Sequence, residues 1–381
     1  MKKIAMKIFC KNLSEVPFLI LRNLMFGGNG VLRIGIIGTG GMGNHHASEF
    51  TKMKDVKIVA CCDISEQRRK AFAEKWKVPA VYADYCEMLE KEELDGVAVV
   101  TVDAMHAPIS IAAIEKGIPV LCEKPMATNL GDAKCMLNAA KKHGVVNMIN
   151  FSYRSSSGLQ AAAKVVSQGK IGNIKHVESS YLQSWLVSRS WGDWRTSEGW
   201  LWRLSTKHGS MGALGDIGVH IYDLTSFLCG DFAQIYCKLK TFDKGVPENR
   251  IGEYVLDAND SFVSAVIFKN GALGTITASR WATGQINSLR ARVYGDKGAV
   301  EIDLDKAYDE YRICTGQRNI DKAIWKTVKC PRAPNNYERF IKAIKTGKND
   351  PSDFANGVKI QAYLEGSFES DRLGEWVNIE L

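Results

Sequence analysis

The chain has 381 residues, 45% of them hydrophobic and 24% charged, with a formal net charge of +8. This is the composition of a soluble globular protein; it excludes disordered and collagen-like classes and gives no long apolar run to cross a membrane, while the length predicts two domains. The positive excess is spread over predicted helix faces, as at Lys52, Lys54, Lys141 and Lys142, so no nucleic-acid partner is expected.

Residues 1–30 are predicted as an N-terminal extension. Lys11, Asn12 and Glu15 interrupt any apolar core of a secretory signal, and the later run Pro17 to Leu21 is too short for one. An ordered arm, a frayed tail and an upstream start codon ahead of Met25 are the three readings of this segment.

From Val31 the pattern becomes regular. The β-branched run Val31 to Ile37 ends in glycines 38–43, and a helix follows to about Lys52. Next come a strand (Val56 to Asp63), a helix (Ser65 to Trp76) and a strand between Asp95 and Thr101. His106 to Lys116 reads as a helix, Ile118 to Cys122 as a strand, Asn129 to Lys142 as a helix, and Val145 to Ile149 as a closing strand. Apolar strands alternating with helices predict a parallel sheet covered on both faces, so 31–150 is expected to be a doubly wound Rossmann domain.

After Asn150 the texture changes. A helix (Leu159 to Gln168) precedes longer strands; Phe262 to Phe268 and Ala272 to Ala278 flank the hairpin signal Asn270-Gly271, and Arg290 to Ile302 turns at Gly295 to Gly298. Tyr337, Phe340, Ile341 and Ile344 form an apolar stripe on a late helix, Asn335 to Lys345. Residues 151–381 are therefore expected to form an α+β domain with a large, open, mainly antiparallel sheet.

The glycine run is Gly38-Thr39-Gly40-Gly41-Met42-Gly43, a G-x-G-x-x-G between a strand and a helix. Gly38 permits the tight turn, Gly40 lets backbone approach a pyrophosphate, and Gly43 allows close helix–strand packing. Asp63 closes the next strand, 25 residues after Gly38, where a carboxylate can accept from an adenosine ribose. It repels a 2′-phosphate, so NAD is expected over NADP; Arg68 and Arg69, a turn later, leave NADP open.

Glu123-Lys124-Pro125 ends the fifth strand. Ligands of open α/β sheets lie beyond the strands' carboxyl ends, where Lys124 can bond a substrate oxygen and stabilise alkoxide charge; a surface turn is the plain alternative. Asp216 and His220 are four apart, so a helix puts them on one face as an imidazole–carboxylate pair fit for acid–base work. A core histidine is the plain alternative for His220.

Five tryptophans crowd 185–202 (Trp185, Trp191, Trp194, Trp200 and Trp202), interleaved with Arg189, Asp193, Arg195 and Arg203. Trp194 and Trp202 can offer faces to sugar rings, and burial at a subunit contact is the competing reading. Arg154, at the domain junction, is a candidate for substrate contact or for a salt bridge.

These motifs together resemble the Gfo/Idh/MocA oxidoreductases, the family of glucose–fructose oxidoreductase and inositol dehydrogenase. The resemblance rests on the glycine loop, Thr101 to His106, Glu123-Lys124-Pro125, the Asp216–His220 pair and the Gly295 to Gly298 turn, and it runs to near the C-terminus. It implies Lys124, Asp216 and His220 as the catalytic trio, Thr101, His106 and Glu123 near the cofactor, and a C-terminal sheet used for substrate binding and for a homodimer or homotetramer. The Trp-rich stretch would lie near the substrate entrance. One departure stands out: the family's usual Thr-Pro-Asn is replaced within Thr101-Val102-Asp103-Ala104-Met105-His106, which alters the loop beside the nicotinamide ribose.

The expected function is hydride transfer between NAD and a hydroxyl or ketone of a sugar, inositol or similar cyclic polyol. An NAD-using glycosidase of the same architecture and a non-catalytic dinucleotide sensor are the alternatives. Ten cysteines with no C-x-x-C pair and no cluster at zinc spacing predict reduced thiols, a cytoplasmic setting and no metal.

Overall fold

A computed structural model describes residues 30–381, so the predicted extension lies outside the described residues except for Gly30. The described chain parts into two compact units. One holds the chain up to Asn150 together with Tyr337–Gly357; the other holds Phe151–Asn336 and Val358–Leu381. The span expected for the second domain is thus interrupted by a stretch that packs with the first.

In the first unit, β1 (Leu32–Ile37), β2 (Val56–Cys62), β3 (Ala80–Tyr82), β4 (Gly96–Val99), β5 (Val120–Cys122) and β6 (Asn147–Ile149) form one parallel sheet. Its order is β3-β2-β1-β4-β5-β6, the doubly wound arrangement expected from the alternating pattern. Helices α1 (Gly41–Phe50), α2 (Glu66–Trp76), α3 (Tyr85–Lys91), α4 (His106–Glu115) and α5 (Leu130–His143) connect the strands. All of β4 and β5 is buried, as a sheet covered on both faces requires. Apolar alternation gives no signal for β3 and α3, because a three-residue edge strand and a seven-residue helix are too short to show a period.

Three of these helices begin on a capping side chain. Ser65, Asp84 and Asn129 accept from the backbone N–H of Arg68, Glu87 and Asp132, each cap contributing about 1 kcal/mol. The late stripe of Tyr337, Phe340, Ile341 and Ile344 is buried as predicted, but in one core with Ile34, Ala98 and Leu121 of the parallel sheet and Phe50 of α1. A Cβ on Gly96 would come within 2.9 Å of Ile344 Cδ1, so the helix Asn336–Thr346 seats directly on β4.

In the second unit, α6 (Ser157–Ser167) leads to β7 (Ile174–Gln183), and α7 (Val219–Cys229) to β8 (Phe232–Lys240). A two-residue pair, β9 (Arg250–Ile251) and β10 (Tyr254–Val255), stands apart from the main sheet. Then come β11 (Ser261–Phe268), β12 (Leu273–Ser279), β13 (Asn287–Gly295), β14 (Gly298–Asp303), β15 (Glu310–Thr315), β16 (Lys326–Lys329) and β17 (Val377–Asn378). Nine strands order as β16-β15-β14-β13-β7-β12-β11-β8-β17. Every pairing is antiparallel save that of β12 with β7. Both predicted hairpins form: Phe262 lies opposite Ala278 around Asn270-Gly271, and Tyr294 opposite Ala299.

Candidate active site

The glycine loop is dictated by contact. Gly38 has φ +98°, and a Cβ there would lie 2.3 Å from the Val100 carbonyl oxygen; a Cβ on Gly43 would lie 2.1 Å from that of Gly38. Neither position tolerates a side chain, so β1, the loop and α1 close against each other. Gly40 and Gly41, by contrast, face open space. The helix that starts there has no capping side chain and no acid in its first turn. Its first N–H groups and the positive end of its dipole are therefore presented outward, which fits a dinucleotide pyrophosphate.

Side chains fix this loop from both sides. Asn44 Nδ2 donates to the carbonyls of Thr39 and Gly40, while its Oδ1 accepts from Trp76 Nε1. Thr39 donates to Asp63 Oδ2 through N (2.9 Å) and Oγ1 (3.0 Å), and Met42 is exposed. Asp63 sits at the predicted strand end, but its Oδ1 also accepts from Ser65 N (2.8 Å) and Arg68 Nη2 (3.0 Å). Burial pushes its carboxyl pKa up, and the bonds from Arg68, Thr39 and Ser65 outweigh this and hold it below the usual range. Arg68 is 56% exposed, so it is the partner that a ribose diol can displace.

Lys124 ends β5 half-buried, and its N–H donates to Glu123 Oε2 at 3.1 Å. Glu123 itself is turned inward. Its Oε1 lies 2.8 Å from His46 Nε2 and accepts from Asn150 Nδ2 at 2.7 Å. Burial opposes the charge, yet His46, Asn150 and Lys124 bring its pKa down to about 2. Glu123 therefore clamps the strand end to α1 in place of facing a cofactor. His106 is likewise fully buried, with Nδ1 2.7 Å from the Pro125 carbonyl oxygen and Nε2 3.3 Å from that of half-buried Thr101. Burial works against its charge, but Cys122, Asp103 and the Pro125 carbonyl push its pKa up to about 9. It ties the altered Thr101–His106 loop to the end of β5, where Val102 and Met105 are left exposed.

In the second unit, residues Leu214–Gly218 wind as a π-helical turn that runs into α7, an irregularity frequent at functional sites. Asp216 lies in the wide turn and His220 at the start of α7, so their four-residue spacing crosses a change of winding and not one regular helix face. Asp216 Oδ2 accepts from Arg280 Nη2 at 3.1 Å and is 3.9 Å from Arg203 Nε. Its side chain is 27% exposed, whereas that of Arg280 is 0% exposed.

His220 is buried and packs edge-on against Tyr153 (4.9 Å) and Tyr181 (6.2 Å). The two phenol oxygens are 2.5 Å apart. Tyr181 also donates to Asn287 Oδ1, Asn287 Nδ2 donates to Tyr153, and Gln183 Nε2 donates to Tyr181 and Asn287. Burial, then the Tyr153 neighbour, then the Asp216 charge push the Tyr181 pKa well above its ordinary value. Tyr181 thus neighbours both members of the expected pair, and Asp216, His220, Tyr153 and Tyr181 form one cluster.

Two predicted contacts are engaged elsewhere. Arg154 is 2% exposed; Nε and Nη2 donate to Asp223 at 2.8 and 2.7 Å, and its guanidinium lies 4.4 Å from the Phe227 ring centroid. This buried fork is the salt-bridge alternative and removes Arg154 from the substrate candidates. Trp194, 2% exposed, donates Nε1 to the Leu186 carbonyl and packs in an apolar cluster with Trp185, Leu201, Leu204 and Leu256. It is a core residue with no face for a sugar. Trp202 is half-buried, with the Arg203 guanidinium 4.6 Å from its ring centroid.

Sequence patterns missed His46, Asn44, Tyr181, Gln183, Asn287 and Arg280. Each is a single polar residue with at least one partner remote along the chain.

Comparison with known proteins accords with this layout. The model of an oxidoreductase family with an NAD-binding Rossmann fold matches residues 32–151, and that of the GFO/IDH/MocA C-terminal domain matches 159–301. Levoglucosan dehydrogenase of Pseudarthrobacter phenanthrenivorans is 25% identical over 91% of this chain and 98% of its own. Myo-inositol 2-dehydrogenase of Thermotoga maritima is 28% identical over 71% of this chain and 75% of its own. A solved levoglucosan dehydrogenase in complex with NADH and levoglucosan superposes with a TM-score of 0.81 at 25% identity, covering 92% of this chain and 100% of that one. With both family models matched in sequence order over more than half of its length, the chain belongs to the Gfo/Idh/MocA family of NAD-binding oxidoreductases.

Proposed function

We propose that this protein is an NAD-dependent dehydrogenase or reductase that interconverts a hydroxyl and a ketone on a sugar, inositol or related cyclic polyol. The observation that carries the reading is the pairing, in one chain, of an uncapped α1 N-terminus under two open glycines with a second-unit cluster of Asp216 and His220. Relatives that act on levoglucosan and myo-inositol support the substrate class.

Gly40, Gly41 and Met42 would hold the pyrophosphate at the α1 N-terminus, Asp63 the adenosine ribose, and Thr101 and Lys124 the nicotinamide end. NAD, when bound, supplies the hydride acceptor or donor. The chain's part is acid–base and electrostatic. His220 takes the hydroxyl proton on its ring during oxidation and returns it during reduction, and the Asp216 carboxylate stabilises the imidazolium that results. The Lys124 ammonium would bond a substrate oxygen and steady its developing negative charge. Trp202 would meet ring faces, and the Tyr153–Asn287 network further hydroxyls. NAD is favoured over NADP because Asp63 repels a 2′-phosphate, with Arg68 as the one adjacent counter-charge bound to it.

The outward face of β11 and β12 carries exposed Val263 and Leu273, which supports a homodimer or homotetramer built on this sheet; light scattering on the purified protein checks it. Nine free cysteines among the described residues, with no helix among them long and apolar enough to cross a membrane, support a reducing, cytoplasmic setting.

The test is NADH formation from NAD⁺ against levoglucosan, D-apiose, myo-inositol, D-glucosides and glucose 6-phosphate. At least one is expected to be turned over with net NADH. Tight NAD binding with no turnover across the panel would favour the sensor, and cleavage of a glycoside without net NADH would favour the glycosidase.

A further inference from the structure

Arg280 follows β12 directly, and no motif marks it in the sequence. Among the described residues it is the largest fully buried side chain, and a buried cation is costly to keep out of water. Its surroundings leave it one orientation. Its N–H donates to the Asp260 carbonyl at 2.9 Å, Nη1 donates to the Arg203 carbonyl at 3.1 Å, and the guanidinium lies 5.0 Å from the Trp185 ring centroid. Its remaining terminal nitrogen, Nη2, is aimed at Asp216 Oδ2 at 3.1 Å.

Asp260, the other carboxylate that acts on Arg280, is paired: its Oδ2 accepts from the fully buried Lys244 ammonium at 2.8 Å and from Phe242 N at 2.8 Å. Removing Arg280 would take a fully buried cation from direct contact with Asp216, whose carboxylate also lies 3.9 Å from the part-exposed Arg203. A buried guanidinium whose terminal nitrogen meets a part-exposed carboxylate acts on that carboxylate.

We propose that Arg280 is a positioning residue for the reaction: it holds Asp216 ionised and fixed in direction beside the Tyr181–His220 cluster, which leaves the proton-accepting role to His220. The proposal rests on the reading of Asp216 and His220 as the acid–base pair. Arg280 and Arg203 face Asp216, Tyr153 and Tyr181 face His220, and Asp260, paired with Lys244, acts on Arg280. Of these, Arg280 is the one whose loss takes a positive charge from direct contact with Asp216 without exposing another.

The test is to follow the His220 ring signal by NMR through a pH titration of the full chain, in wild type, Arg280→Gln and Arg280→Lys, with His220→Gln used to assign the signal. Loss of the cation makes the surroundings of His220 more negative, so its midpoint is expected to rise by about half a pH unit or more in Arg280→Gln. In Arg280→Lys the charge is kept but one ammonium cannot span Asp216 and the Arg203 carbonyl together, so the midpoint is expected to rise by less. The acid limb of kcat/KM for NADH formation with levoglucosan or myo-inositol should move up in parallel, kcat should fall by about ten- to a hundredfold, and the Kd for NAD should stay at its wild-type value. Should Arg280→Gln not fold, Arg280→Lys carries the measurement. A His220 midpoint unmoved in every folded variant, or full kcat with an unshifted pH profile, overturns the proposal. Wild-type turnover in His220→Ala would instead overturn the acid–base reading, and the NMR midpoint would still report whether Arg280 governs the charge there.

Discussion

The two units meet their tasks by opposite means. In the first, the part expected to hold the cofactor is backbone: glycines whose Cβ positions are either blocked, at Gly38 and Gly43, or open, at Gly40 and Gly41. Around it, side chains act as clamps, with Glu123, His46, Asn150 and His106 buried and bonded to one another or to carbonyls. In the second, backbone contributes a π-turn, and the cluster proposed to carry the chemistry is made of side chains gathered from remote places: Asp216, His220, Arg280, Tyr153 and Tyr181. A backbone-made site leaves a compact signature in sequence, and a side-chain cluster does not.

The contrast is open to attack first at the scaffold. If the first unit depends on the distant helix Asn336–Thr346, then Phe340→Ala should destabilise it by about 3–5 kcal/mol, because a fully buried ring in its core would be lost. Thermal or denaturant unfolding checks this, and a loss confined to a few tenths of a kcal/mol would show that the helix is not part of that core.

A smaller effect is expected at the cofactor loop. Asp63→Ala removes the anchor of Thr39 along with the expected ribose acceptor, so NAD binding should weaken by about ten- to a hundredfold, the size of a charged hydrogen bond, and preference over NADP should relax. Fluorescence titration with both dinucleotides measures it. Unchanged affinity and preference would leave Asp63 as a purely structural cap.

That outcome is conceivable in physical terms because only part of the site is legible in sequence. Gly38 to Gly43, Asp63 and Lys124 could be read from local spacing, since the strand–loop–helix turn is made within a few residues. The Phe262–Ala278 hairpin was legible for the same reason. The destination of the stripe at Tyr337 was not: periodicity says that a helix face is buried, and says nothing of which sheet buries it. Arg154, Trp194 and Glu123 look the same in sequence whether they face a ligand or the interior. Their direction depends on Asp223, Leu186 and His46, each placed by tertiary structure.

The smallest expected effects separate the alkaline from the acid dependence of the first unit. His106, with its folded pKa raised to about 9 from the ordinary 6.5, contributes stability that is complete below pH 6.5 and is lost as pH rises through 9. Glu123, lowered to about 2 from 4.5, contributes stability complete above pH 4.5 and lost as pH falls towards 2. Each should amount to on the order of 1–3 kcal/mol. Melting temperatures across pH should therefore lose their alkaline slope in His106→Gln and their acid slope in Glu123→Gln. Identical slopes in wild type and variants would show that neither group carries the dependence.

The most direct measurement pairs NAD affinity with turnover in His220→Ala. A division of labour between a backbone cofactor cradle and a side-chain acid–base cluster predicts an unchanged Kd for NAD together with a fall in kcat by a factor on the order of 10²–10⁴ on whichever panel compound the wild type oxidises. Turnover within a few fold of wild type, or a loss of NAD binding equal to the loss of rate, would contradict it.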